Sequence, residues 1–247
     1  MIKLVPRGSS SQSMFILAPI FAIFLTLLTG SIIFFLMGYN PSNALKIFFI
    51  SPISNAYGIS ELLVKATPLA LIAMGLSFCF KNNIYNIGAE GQLTMGAIFG
   101  GGVGIYFYDV SSILILPGMI IAGALGGALW AMIPALLKTK FNTNEILTSL
   151  MLAYIALLIL DYLVVGPWRD PDGFNFPKTR PFGESGRMPI LFQGLRIHFG
   201  LIITLILIAF SWFIYSKTIF GFQLKVSGFS PKAARFAGFN KNFLIFS

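Results

Sequence analysis

Six long apolar stretches constrain the fold of this chain more than any other feature of its sequence. They run approximately over 14–38, 62–80, 89–108, 113–137, 145–165 and 199–216. Each has close to the ~20 residues that an α-helix needs to cross the hydrocarbon core of a bilayer. Helices pair all their backbone polar groups internally, which lipid requires of a spanning segment. The sequence therefore predicts an all-α fold, a polytopic bundle of about six transmembrane helices.

The composition agrees with a membrane protein and excludes several other classes. Charged residues make up 10% of the chain, whereas about 25% is usual in a soluble domain. The net charge of +9 does not indicate nucleic acid, because basic residues in membrane proteins mark cytoplasmic ends and anionic headgroups. With one cysteine and one histidine, we expect neither an intrachain disulfide nor a metal site. A lipid bilayer is the expected partner, and nucleic acid is not.

The basic residues also predict how the chain enters the membrane. They are more numerous in the segments that lie inside if the N-terminus is cytoplasmic, Lys3 and Arg7 among them. A basic segment over 217–241 follows the sixth stretch, and 242–247 reads as the beginning of a truncated seventh span. We expect a single membrane domain over 1–247 that lacks its C-terminal spans, with 242–247 poorly packed because its hydrophobic partners are missing.

The segment 82–104 interrupts this apolar pattern with asparagines, a glutamine, Glu90 and eight glycines. Polar irregular backbone at membrane depth occurs only where protein covers it or where it lines a wet cavity. We therefore predict a broken or re-entrant segment near 82–92 that faces a translocation path. The Glu90 carboxylate should have nearby donors, because an unpaired buried charge is costly. A cytoplasmic turn followed by a tightly packed glycine helix is the alternative.

Small residues recur at helical spacing in the two stretches that follow, as Gly96, Gly100 and Gly104 and then as Gly118, Ala122 and Gly126. Such ladders let membrane helices approach backbone to backbone, so they predict helix packing. In the next loop Asn142, Thr143 or Asn144 could cap the helix that begins at Glu145.

A short helix is predicted over 231–237 within the basic segment. Ser230 suits the N-cap, Pro231 the first helical position and Gly238 the C′ position. Its apolar surface is small, since it consists of alanines and one phenylalanine, and Lys232 and Arg235 flank it. Two interpretations stay open, a basic helix resting on lipid headgroups and a knob that docks in a groove of a cytoplasmic partner.

The outer loop over 166–197 mixes aromatic and charged residues, beginning with Trp168, Arg169 and Asp170. Tryptophan at the end of a span is typical of the interfacial aromatic belt. Rigid aromatic side chains among charges are also typical of protein-contact surfaces. The sequence does not decide between these two interpretations.

Four motifs carry a resemblance to a known family: IYNIGAEGQLTMGA, NEILTSLMLAYIALL, GPWRDPDGFNFPKT and GFQLKVSGFSPKAARFAGF. In this order they resemble the permease subunits of bacterial ABC importers, in the nucleoside and simple-sugar branch of the family that includes ribose and branched-chain amino-acid permeases. The resemblance runs from the second apolar stretch to the end of the chain.

The resemblance implies a multi-pass subunit of the bacterial inner membrane that imports a nucleoside or simple sugar. It implies three partners: a second permease subunit, an ATP-binding cassette subunit and an extracytoplasmic solute-binding protein. ATP and Mg would bind to the ATPase, and this chain would bind no cofactor. The chain contains no GxxxxGK[ST] motif, so we expect ATP hydrolysis on a separate chain.

The resemblance also implies roles for particular residues. Asn86, Gly88, Glu90, Gly91 and Gln92 would face the substrate path, and Trp168, Arg169 and Asp170 would contact the binding protein. The coupling helix to the ATPase would comprise Ser230, Pro231, Lys232, Ala233, Ala234, Arg235, Phe236 and Gly238. No catalytic residue is expected. An ion-coupled secondary transporter is the alternative, and Glu90 is its only good candidate for a coupling carboxylate.

Overall fold

The computed structural model describes residues 12–246, and all the regular elements in that range are helices. The predicted cytoplasmic N-terminus, with Lys3 and Arg7, lies outside the described residues. The α-helices are α1 (Gln12–Leu36), α2 (Pro41–Leu45), α3 (Ala56–Lys81), α4 (Ala89–Tyr106), α5 (Ile115–Phe141), α6 (Glu145–Val165), α7 (Gly200–Lys217), α8 (Ile219–Phe229), α9 (Pro231–Phe236) and α10 (Lys241–Phe246). The predicted all-α fold is confirmed.

Five helices in the described range are long and apolar enough to cross a membrane: α1, α3, α5, α6 and α7. The remaining predicted span is α4, an 18-residue helix that is long enough but not apolar enough to be counted with these five. Its first turn holds Glu90 and Gln92, and glycines occupy much of its second half. The helix therefore forms as predicted, but it is less apolar than its neighbours.

The chain divides into two compact units, Met1–Leu62 and Leu63–Ser247. In the first unit, Asn40 caps α2 through its side-chain oxygen, which accepts from the backbone N–H groups of Ser42 and Asn43. Phe34 of α1 lies 5.9 Å from Phe48, measured between ring centroids. The apolar surface of α1 is exposed along its length, as expected of a helix whose neighbour is lipid.

Close packing of α4 against α5 and α6 organises the second unit. A Cβ added to Gly96 would lie 3.0 Å from the Gly123 carbonyl oxygen, and one on Gly100 would lie 2.8 Å from that of Met119. Only glycine lets the two backbones come this close. The predicted packing role of the glycine ladder is confirmed. A core of Met95, Ile98 and Ala156 fills the interior between α4 and α6.

The end of the described range agrees in part with the prediction of a poorly packed apolar segment. Residues 241–246 form α10, in which Phe243 and Phe246 are exposed and Leu244 is buried. The Leu244 carbonyl accepts a hydrogen bond from Asn82 Nδ2 at 3.0 Å. The prediction counted only partners later in the chain, whereas α10 also contacts α5, α8 and α9.

The sequence analysis also missed α8. Its signal is Thr218, whose hydroxyl oxygen accepts from the Gly221 backbone N–H at 3.2 Å and caps the helix. A basic segment with scattered phenylalanines does not reveal this helix by its periodicity.

We expect Gly100→Ala to destabilise the folded chain by about 1–3 kcal/mol, because the new methyl group meets the Met119 backbone. Gly75→Ala is the matched control, since nothing lies within 4 Å of a Cβ at that position in α3. Alanine should there be neutral or stabilising by up to about 1 kcal/mol. Thermal unfolding of the purified variants in detergent measures both effects. Equal midpoints would contradict the close contact of α4 with α5.

Candidate functional site

The predicted break before α4 is present. Helix α3 ends at Lys81, and Asn83 takes a left-handed conformation with φ of 59°. The backbone N–H groups of Asn83 and Ile84 donate to the carbonyls of Phe80 and Cys79, at 3.1 and 2.9 Å. This paired bonding closes the helix as a Schellman motif. Residues 84–88 then have no regular structure, and α4 begins at Ala89.

Two of the residues assigned to the substrate path are buried against α6. A Cβ on Gly88 would lie 2.3 Å from the Ser149 carbonyl oxygen, and one on Gly91 would lie 2.6 Å from Ala153 Cα. The backbone N–H of Ile87 donates to Ser149 Oγ at 3.1 Å. Within this chain, Gly88 and Gly91 therefore allow close helix packing and line no open surface.

The polar members of the same set are more accessible. Glu90 is exposed in the first turn of α4, and Gln92 and Asn86 are half-buried. Asn86 Oδ1 accepts from the Gly88 backbone N–H at 2.9 Å, so this amide shapes the break. The exposed positions Leu93 and Ala97 continue the Glu90 face of α4 at helical spacing.

The expected donors for the Glu90 carboxylate are not found. Among residues 12–246 it has no hydrogen-bond or ion-pair partner, and Thr94 Oγ1 donates to the Glu90 backbone carbonyl instead. The expectation was wrong because it assumed burial, whereas this face of α4 is uncovered in the chain. The α4 N-terminus still favours a negative charge at this position.

An ion pair that the sequence analysis did not predict joins α5 to α6. Lys138 Nζ lies 2.7 Å from Glu145 Oε2 across the short loop. The predicted cap is confirmed for Asn144, whose Oδ1 accepts from the backbone N–H groups of Ile146 and Leu147. The ion pair therefore holds the end of α5 and the beginning of α6 close together.

The helix predicted over 231–237 forms as α9. Ser230 Oγ accepts from the Ala233 backbone N–H at 3.3 Å, and Pro231 occupies the first helical position. Gly238 has a φ of +76°, a conformation that favours glycine. Backbone bonds from Gly238 to Arg235 and from Phe239 to Ala234 complete a Schellman motif. The caps explain how a helix of six residues persists.

The two faces of α9 differ in exposure. Phe236 is 97% exposed, and Lys232, Ala233 and Arg235 are exposed beside it. Ala234 is only 6% exposed. Ala234 therefore packs against the rest of the chain, whereas the other side chains of α9 are exposed.

A cleft of about 600 Å³ opens beside α9. Lys232 and Arg235 contribute two cations to its lining, and Asn240 and Asn242 contribute amides. The surface around α9 is therefore positively charged and rich in hydrogen-bond donors, with one large apolar side chain, Phe236, projecting from it.

The loop over 166–197, which follows α6, uses the three predicted contact residues internally. Trp168 packs on the core of α4 and α6 and within 3.3 Å of a Cβ built on Gly102. The Arg169 guanidinium donates to Asn175 Oδ1. Asp170 is buried, its Oδ1 accepts from the Asp172 backbone N–H, and its Oδ2 lies 3.9 Å from Lys178 Nζ.

Phe174 and Phe176 are the most exposed large apolar residues of this loop. Phe174 is 94% exposed and has a φ of 49°, which a bulky residue rarely adopts. The Arg169 and Asp170 contacts brace the loop on both sides of these rings. The sequence contained the signal in its phenylalanines, but periodicity could not tell which aromatic residue points outward.

The comparisons with known proteins agree with the resemblance seen in the sequence. Residues 58–247 match the family described as "Branched-chain amino acid transport system / permease component". A glucose ABC transporter permease protein of Haloferax volcanii is 31% identical over 98% of this chain and 66% of its own length. The guanosine ABC transporter permease protein NupP of Bacillus subtilis is 32% identical over 90% of this chain and 64% of its own.

A further relative is the nucleoside ABC transporter permease protein NupB of Lactococcus lactis. It is 30% identical over 94% of this chain and 66% of its own length. The chain thus spans less than two thirds of the length of each of these three relatives. No solved structure matches the chain.

We expect Ala234→Glu to destabilise α9, because it places a carboxylate at a buried position. Ala233→Glu is the matched control, since that neighbour is exposed. Limited proteolysis of the purified variants in detergent measures the effect. Cleavage within 230–240 should be faster for Ala234→Glu, with Ala233→Glu at the wild-type rate. The opposite order would contradict the placement of α9.

Proposed function

The chain belongs to the branched-chain amino acid transport system / permease component family, and from this premise we propose that it is a permease subunit of an ATP-driven importer. The proposed solute is small, polar and uncharged, a nucleoside or a simple sugar. Three relatives named for glucose, guanosine and nucleoside transport support this class of solute. The five apolar helices agree with a subunit that crosses the membrane several times.

The observation that carries the proposal is the occurrence of a capped α9 inside the matched region. The family match over 58–247 includes both the break before α4 and α9. Phe236, Lys232 and Arg235 project from α9, so its outward face suits a protein groove with acidic groups at its rim. We propose that this groove belongs to an ATP-binding cassette subunit, which would also bind ATP and Mg.

Lipid is a weaker candidate for the occupant of this surface. One exposed phenylalanine is the only large apolar group on α9. Burying one phenylalanine side chain contributes roughly 1.5–3 kcal/mol, which is a marginal membrane anchor. A protein groove adds charge complementarity to the same apolar contact, so it can hold α9 in one orientation.

The uncovered face of α4 is the proposed wall of the substrate path. Glu90 lies at the beginning of this face. Gln92 is half-buried near the beginning of α4, and Asn86 precedes α4 in the break. A carboxylate accepts hydrogen bonds from the hydroxyl groups of a sugar or ribose, and an amide can both accept and donate them. A second permease subunit would cover this face and complete the path, and it would also surround the exposed carboxylate.

On the outer side, Phe174 and Phe176 form the proposed contact for an extracytoplasmic solute-binding protein. Both rings are exposed on a loop that Arg169 and Asp170 brace. Exposed aromatic groups on a rigid support are effective anchors, because little side-chain entropy is lost when they are buried.

Reconstitution tests the proposed function directly. The chain, a second permease, the ATPase and the binding protein are assembled in proteoliposomes, with radiolabelled guanosine and glucose as probes. We expect uptake of one probe class to require ATP and to stop when the ATPase is omitted. Uptake without the ATPase, driven by a proton or sodium gradient, would instead establish the ion-coupled alternative.

The same assay tests Glu90. We expect Glu90→Gln to lower uptake at least tenfold while the complex still assembles, because the amide keeps the size of the side chain and loses its charge. Asp161→Gln is a control, since Asp161 is an exposed carboxylate on α6. Equal uptake by Glu90→Gln and the wild type would remove Glu90 from the path.

The outer contact predicts a separate defect. We expect Phe174→Ser with Phe176→Ser to weaken binding of the solute-binding protein at least tenfold, measured by surface-immobilised titration, without lowering the thermal unfolding midpoint. Phe192→Ser is the control, because it removes an exposed ring further along the same loop. Binding weakened equally by both variants would show that this contact is not specific.

A further inference from the structure

We propose that Asn82 is a positioning residue that ties α9 to the end of α3 and, through it, to the break before α4. The inference rests on the proposed function, in which α9 meets an ATPase. It adds the identity of the membrane helix that receives the movement of α9, which neither the family match nor the relatives assign.

The first observation is a hydrogen bond between distant parts of the chain. Asn82 follows α3 directly and is 7% exposed. Its Nδ2 donates at 3.0 Å to the carbonyl of Leu244 in α10, 162 residues later. A carbonyl can only accept, so the orientation of the Asn82 amide is determined by this partner. Removing the amide would cost this buried hydrogen bond.

The second observation is a backbone contact at the same place. A Cβ on Gly228 would lie 2.0 Å from the Lys81 carbonyl oxygen and 3.4 Å from Asn82 Cα. The end of α8 therefore rests directly on the end of α3. Gly228 is followed within three residues by Pro231, the first residue of α9. The base of α9 is thus joined to α3 through α8, and its far side is joined through α10.

Aromatic contacts extend this junction to α7. The Phe78 and Tyr215 rings meet edge to face, with centroids 6.2 Å apart. The Lys225 and Lys81 ammonium groups lie 4.4 and 5.8 Å from the centroid of the Tyr215 ring. These contacts connect α3, α7 and α8 on the side of the protein that holds α9.

The opposite side of the junction is loosely filled. A cavity of about 240 Å³ separates Asn82 and Pro231 from the Lys138–Glu145 pair at the α5–α6 loop. Asn82 Oδ1 is buried and has no hydrogen-bond partner among the described residues. Close-packed groups move together, and the ends of α8 and α10 contact the end of α3. A movement of α9 would therefore displace the end of α3.

The break before α4 follows this junction directly along the chain. Asn82 is followed by the left-handed Asn83 and by the irregular segment 84–88, which leads to Glu90. Displacement of the end of α3 would act on this break first. The junction therefore links the surface that meets the ATPase to the segment proposed to line the path.

The test uses the assembled transporter in proteoliposomes, with guanosine and glucose as probes. Asn82→Ala removes the amide, and Asn43→Ala removes an exposed amide of α2 as a control. We expect Asn82→Ala to retain the ATPase subunit and its basal hydrolysis while solute uptake per ATP hydrolysed falls at least tenfold. Asn43→Ala should match the wild type. An unchanged ratio in Asn82→Ala, or loss of the ATPase subunit in proportion to uptake, would overturn the inference.

A second measurement does not depend on that variant. Spin labels are placed at Phe80→Cys and Ala237→Cys, in a Cys79→Ser background, within the same complex, because Ala237 is exposed at the end of α9. We expect the 80–237 distance to stay constant when ATP is added, because α8 and α10 join α9 to the end of α3. A change in the 80–237 distance would overturn the inference. ATP-independent uptake by the wild type would instead overturn the proposed function.

Discussion

The contact of α4 with α5 and α6 is the interaction on which the rest of the larger unit depends. Glycines let the backbone of α4 lie against the Gly123 and Met119 carbonyls on one side and against Ala153 on the other. In a bilayer, lipid and side chains are similarly apolar, so association of helices depends on such close packing. The polar first turn of α4 is thereby held at a defined place although α4 is the least apolar of the long helices.

Because the glycines of α4 are buried against α5 and α6, one face of α4 remains exposed. Glu90, Leu93 and Ala97 remain exposed because no helix of the described range packs over them. The helix dipole favours a negatively charged residue in the first turn of a helix, which is where Glu90 lies in α4. A second subunit or a solute could then supply the remaining contacts.

The segment after α7 holds a very short helix, α9, in one orientation. Six residues do not form a stable helix in water. Ser230 and Gly238 close its two ends, and Ala234 attaches it to the chain. Its charged and aromatic side chains are then free to contact a partner, and Asn82 and Gly228 relate its position to the end of α3.

The sequence by itself determined the helices and their ends. Apolar length predicts the spans because lipid requires internally paired backbone, and the cap residues at Asn144, Ser230 and Gly238 act on neighbours within a few positions. The tertiary structure alone decided which side of each element is covered. Leu244 of α10 is buried and bonded to Asn82, far away in the chain, and such contacts leave no periodic signal in the sequence.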